Sequence, residues 1–124
     1  MYEVGTSRSV RALHVMPGMP LPEGELHPHD YRLDVLVRRE ELDERGMVCD
    51  LDVLEAALGE AVDELDGRDL EMIRPPDADA VTVEVFAHWL YRVLADPIRN
   101  DGGELLSVRV WESPTAFGGY ASSL

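Results

Sequence analysis

The chain has four histidines, and three of them stand where imidazoles could act together. His27 and His29 are one residue apart in "HPHDYRLDVLV", at the head of a run whose apolar members recur at every second position. Residues i and i+2 of a strand share a face, so these histidines fall in line with Tyr31, Leu33, Val35 and Val37. Asp30, Arg32, Asp34 and Arg38 take the opposite face. Both imidazoles are therefore expected on the inward face, about 7 Å apart along the strand, where each needs a partner. A shared metal ion is one such partner, and backbone carbonyls at a frayed strand end are the other. His14 closes an earlier alternating segment on the same parity as Val10 and Ala12. If the two segments pair as a hairpin, His14 lies beside His27 and His29. Three neutral imidazoles would leave a fourth tetrahedral position open, as catalytic zinc requires. Other divalent ions accept the same ligands, but zinc suits them best.

The elements that must position these residues follow from periodicity and breakers. Residues 2–15 read as a strand, "MPGMPLPEGE" as a loop, and residues 26–39 as a second strand. A charged connection, "REELDERG", leads to Asp50, which can cap a helix whose apolar positions are Leu51, Leu54, Leu58, Val62 and Leu65. Asp66-Gly67 stops it, and "IRPPDADAV" is a further loop. Thr82 can cap a second helix with the stripe Val85, Phe86, Trp89, Leu90, Val93 and Leu94, ended by Pro97 and "NDGG". Trp89 and Phe86 read as core, and His88 falls off the stripe toward solvent. A last strand, Leu105 to Glu112, puts Val108, Val110 and Glu112 on one face and Ser107, Arg109 and Trp111 on the other. The tail "SPTAFGGYASSL" reads as turns. Strands, two helices and a strand make an α+β pattern with antiparallel pairing.

Bulk properties narrow the partners. At 124 residues the chain is expected to form one domain, residues 1–124, around one core. Its 25 acidic residues outnumber 11 basic ones, all arginine, for a net charge of −14. Nucleic acid and anionic membrane both need a positive surface, so neither is an expected partner. Cys49 is the only cysteine, which excludes a disulfide framework and a cysteine-based zinc site within the chain. With no signal-like or membrane-length apolar run, a cytoplasmic location is the expectation.

Six short motifs, in order along nearly the whole chain, give it a resemblance to the 6-pyruvoyl-tetrahydropterin and 6-carboxy-tetrahydropterin synthases. The family's F-x-A-x-H corresponds to "VRALH" at 10–14, its H-G-H-x-Y to "HPHDY", and its G-M-V-x-D-F to "GMVCDL". Its L-D-H-x-x-L corresponds to "LDGRDL", its P-T-x-E-N to "VTVEV", and its final V-x-E to "VWESP". The resemblance implies the tunnelling fold: an antiparallel sheet with two helices on one face, assembled into an oligomeric barrel, such as a homohexamer of two trimers. It implies Zn2+ on His14, His27 and His29, and a small pterin-like molecule as the partner, anchored by Glu112. A carboxylate can accept two parallel hydrogen bonds from a pterin's amino group and adjacent ring N–H. Thr82 matches the family's threonine near the pterin, although capping alone also accounts for it.

The departures bear on activity. Where the synthases carry a proton-abstracting cysteine, four residues before H-G-H, this chain has Glu23; where they carry the relay histidine it has Gly67, beside a retained Asp66. Cys49 lies outside the nucleophile's position and reads as a small buried residue. The resemblance therefore implies a zinc-dependent lyase or cyclase, with Glu23 and Asp66 as the candidate catalytic pair. The alternatives are a non-catalytic paralogue that binds zinc and a heterocycle, and a specialised enzyme acting on a non-pterin substrate.

Overall fold

A computed structural model describes residues 1–124. The elements run β1 (Tyr2–His14), β2 (His27–Arg39), α1 (Leu51–Leu65), a single 3₁₀ turn (Leu70–Ile73), α2 (Val83–Asn100), β3 (Leu105–Trp111) and β4 (Phe117–Ser123). The four strands form one antiparallel sheet in the order β1-β2-β3-β4. Alternation along the strands decides which face is covered. Val10 and Ala12, then Leu33, Val35 and Val37, then Leu106, Val108 and Val110 are buried on one side. Against them pack Leu54, Leu58 and Leu65 of α1 and Phe86, Leu90, Leu94 and Ile98 of α2, within one cluster of 23 buried residues. Asp50 caps α1 by accepting from the Asp52 N–H, and Thr82 caps α2 by accepting from the Val85 N–H. The expected α+β fold, with both helices on one face, is what forms.

On the opposite, helix-free face, the Ser7 hydroxyl and the Trp111 indole N–H both donate to the Asp34 carboxylate, at 2.6 and 2.7 Å. Burial pushes this carboxyl's pKa up, but the two donors and the Arg32 guanidinium more than offset that, and the net shift is downward.

Three expectations need correction. The tail does not consist of turns: Phe117–Ser123 is an edge strand paired along its whole length with β3. Its glycines serve close packing, since a Cβ on Gly118 would come within 2.6 Å of Val83 Cγ2 and 3.1 Å of the Glu84 nitrogen. Nor does Pro97 end α2, which continues to Asn100. Only one backbone N–H is lost there, and the fully buried Ile98 holds the last turn in place. Finally, Leu51 and Val93, at 39% and 38% exposure, sit at the margins of their stripes rather than in the core.

Candidate active site

The β1–β2 register places His14 directly opposite His27, and Ala12 opposite His29. All three imidazoles therefore sit on the helix side of the sheet at one strand end, where the apolar alternation runs out and each ring is half-buried. Ring centroids lie 6.0 Å apart for His14–His27 and again for His27–His29. Each ring donates one N–H to a backbone carbonyl: His14 Nε2 to Val81 at 2.9 Å, His27 Nδ1 to Glu25 at 2.8 Å, and His29 Nε2 to Glu112 at 2.9 Å. The backbone partners foreseen for His27 and His29 are thus present, and His14 has one as well. A carbonyl can only accept, so the neutral tautomers leave His14 Nδ1, His27 Nε2 and His29 Nδ1 as the free nitrogens. Burial lowers the His14 pKa, against the raising effect of the Val81 carbonyl, and favours its neutral form.

Three imidazoles on one patch, each oriented by a carbonyl, match a divalent metal in donor chemistry and placement. The side chains are not, however, gathered into a ready group of three ligands. Holding an ion there would take reorientation of the rings.

Beside the histidines is a cavity of about 230 Å³ under the N-terminus of α2. His14, Tyr31, Thr82, Glu84, Phe86 and Glu112 are among its lining residues. Glu112 lies one step past the Arg32–Trp111 pair, opposite Tyr31, and its N–H donates to Ala116 in the β3–β4 turn. The strand end thus brings His14, Thr82 and Glu112 to one cavity, with His27 and His29 adjoining. Thr82 has a second duty there, its hydroxyl capping α2 at 3.2 Å from the Val85 nitrogen.

The proposed catalytic pair is placed differently. Glu23 is exposed on the β1–β2 loop, held by its own carbonyl accepting from the Met16 N–H at 2.6 Å, and does not line the cavity. The Asp66 carboxylate accepts from the Arg11 N–H at 3.3 Å, which pins the end of α1 to the edge of β1. Gly67, at φ +72°, then donates to the Arg11 carbonyl at 2.7 Å. Cys49 is buried as expected, and burial pushes its thiol up to about 11, away from reactivity. Sequence reasoning gave no role to Glu84 or Tyr31, although both lie within motifs that carried the resemblance, "VTVEV" and "HPHDY". The larger depression, about 520 Å³, is on the helix-free face over Ser7, Asp34 and Arg38, away from the histidines.

Comparison with solved structures places this architecture among known ones. A Plasmodium vivax 6-pyruvoyltetrahydropterin synthase carrying a catalytic-residue substitution aligns with TM-score 0.79 at 15% identity, covering 99% of this chain and 98% of that one. The Caenorhabditis elegans 6-pyruvoyl tetrahydropterin synthase aligns with TM-score 0.69 at 23% identity, with the same coverages. No curated protein matches the chain at a significant level. The profile of 6-pyruvoyl tetrahydropterin synthases, however, spans residues 3–122, including the histidine strands, the capped α2 and the glutamate after β3, and the chain belongs to that family.

Proposed function

We propose that the protein is a zinc-dependent lyase or cyclase acting on a pterin or a related carbonyl-bearing small molecule. The observation that carries this reading is three carbonyl-oriented imidazoles at one strand end, beside a cavity that His14 lines together with Glu112 and Thr82. His14, His27 and His29 would hold the ion by turning a nitrogen of each ring toward it. Zinc bound there supplies a Lewis acid to an oxygen next to the carbon that loses its proton. Glu112 binds and orients the ring by accepting from its amino group and adjacent N–H. Glu23 takes the proton, a task for which a carboxylate needs its pKa raised by desolvation. In the exposed loop it lacks that burial, so closure over ligand would have to supply it. A catalytic glutamate has precedent in this fold: the Plasmodium vivax structures include variants in which a glutamate named as a catalytic residue is replaced by alanine or cysteine. Asp66 would support the relay from the end of α1.

One observation favours a second reading, a paralogue that binds but does not turn over. The Asp66 carboxylate is already committed to the Arg11 N–H, and Gly67 has no side chain to carry a proton.

Metal analysis tests the zinc assignment directly. Protein purified without chelator should carry about one zinc per chain, and His27→Ala should lose most of it. Less than a tenth of an equivalent in the wild type, unchanged by His27→Ala, would refute the metal site.

A further inference from the structure

Tyr31 is 4% exposed, and its ring is held between His29, at 4.7 Å between centroids, and Phe86, at 5.3 Å. Packing of that kind explains an aromatic ring but not a hydroxyl. The chain's side-chain hydrogen bonds include one from a tyrosine hydroxyl, and that is Tyr91 donating to Ser123; the Tyr31 hydroxyl has no partner. No sealed polar atom in the chain lacks one, so this hydroxyl opens into free space, and Tyr31 lines the cavity it shares with Glu112, Thr82 and His14. A phenol is protonated near neutral pH and can donate. The wall of one cavity thus holds a carboxylate acceptor and a phenol donor together.

We infer that Tyr31 and Glu112 together read one heterocycle edge, two donors followed by an acceptor, and that Tyr31 selects for a ring carbonyl at its end. The inference rests on the proposed reading of Glu112 as the ring anchor and names what lies next to it. A 2-amino-4-oxo pyrimidine ring presents that edge: amino N–H, ring N–H, then carbonyl oxygen. The amino and ring N–H donate to the Glu112 carboxylate, and the Tyr31 hydroxyl donates to the oxygen. A 2,4-diamino ring puts an amino group where the oxygen stood and leaves the ring nitrogen without its hydrogen, so Glu112 loses one donor and the phenol can only accept, the weaker of its two roles. Pterins and guanine share the favoured edge, and the cavity geometry alone fixes the edge rather than the second ring.

Titration of the wild-type protein with pterin, 2,4-diaminopteridine and guanosine, followed by ligand fluorescence or calorimetry, tests this without altering the protein. Pterin is expected to bind about 10-fold or more tightly than the diamino compound, since a site built for a hydrogen bond rejects a ligand that cannot complete it. Tyr31→Phe keeps the packed ring. It should weaken pterin binding about 3- to 10-fold, the scale of one neutral hydrogen bond, and narrow the gap between the two pteridines by about that factor, leaving the share that Glu112 contributes through the ring N–H. Glu112→Gln should weaken pterin binding by about 10-fold or more, since its bonds are to a charged group. Guanosine binding that follows the same pattern would support edge reading and widen the ligand class; guanosine rejection with pterin accepted would support it and confine the class to pteridines. Loss of affinity in Glu112→Gln with undiminished selectivity in Tyr31→Phe would overturn the Tyr31 assignment and leave the anchor standing. No binding of any of the three compounds would overturn both.

Discussion

Gly67 shows how much one residue decides at this site. It lies just past the end of α1 with φ +72°, a left-handed conformation that costs an L side chain about 1–2 kcal/mol. The space around it is open, with no atom within 4 Å of where a Cβ would stand, so backbone strain rather than collision governs any substitution. Gly67→His is therefore expected to fold but to melt roughly 4–10 °C lower, checked by calorimetry. Alone it should not raise turnover of dihydroneopterin triphosphate, because the cysteine that the resemblance leads one to expect is replaced by Glu23. Glu23→Cys with Gly67→His is the fair comparison, assayed well below the lowered Tm. If wild-type turnover already matches that of an intact synthase, Glu23 is a competent base and no histidine is needed. An absent general acid or base otherwise costs on the order of 10²–10⁴ in rate.

At the scale of elements, Gly118 ties β4 to the first turn of α2, the turn that carries Thr82 and Glu84 into the cavity. A Cβ there would meet Val83 Cγ2 at 2.6 Å and the Glu84 side chain and nitrogen at 3.0 and 3.1 Å. Gly118→Ala should cost about 1–3 kcal/mol through overpacking, and it should weaken pterin binding by displacing Thr82 and Glu84. Denaturant melts and titrations would show both effects; an unchanged midpoint and affinity would mean that α2 shifts freely. The same glycine explains what was legible in the sequence. Strands β1, β2 and β3 announce themselves because one face is apolar and the other polar, and the helices because their stripes repeat at 3.6 residues. "FGGYASS" has no such contrast: it is an edge strand whose inward residues are Gly118, Tyr120 and Ser122, so the glycines look like turn residues. The histidine patch was legible because parity alone places His14, His27 and His29 together. The placement of the proposed catalytic pair was not, because Asp66 is drawn to a backbone N–H and Glu23 hangs on a loop, and neither arrangement leaves a periodic trace. Parity also puts Tyr31 on the correct face, but its unpartnered hydroxyl exists only once Phe86 and Glu112 surround it.

For the molecule as a whole, the unpaired strand edges set the expectation. The sheet ends at β1 and β4, and neither is closed by another strand. The segment after α1 covers only the last residues of β1, through Gly67 donating to Arg11 and Leu13 donating to the Arg68 carbonyl. The rest of the 13-residue strand and the outer side of β4, apart from the Ser123 carbonyl that accepts from Tyr91, keep their N–H and C=O groups unpaired, a state that soluble proteins usually avoid. Pairing β4 of one chain with β1 of the next would satisfy both edges and, repeated around an axis, would close a barrel. The family resemblance points to a homohexamer of two such rings. Electrostatics work the other way, since each chain brings a net charge of −14 to the assembly. Like charges separated by more than about 10 Å are largely screened at 0.1 M salt, whereas at 0.01 M the screening length is about 30 Å. Light scattering at micromolar protein and 0.15 M salt is therefore expected to give a multiple of the 13.8 kDa chain mass, with six the expected number. Lowering the salt to about 0.01 M should shift the population toward smaller species, because unscreened repulsion then opposes the contact. A monomer mass at both salt concentrations would refute edge pairing, and a salt-independent oligomer would place the interface where the acidic surface does not reach.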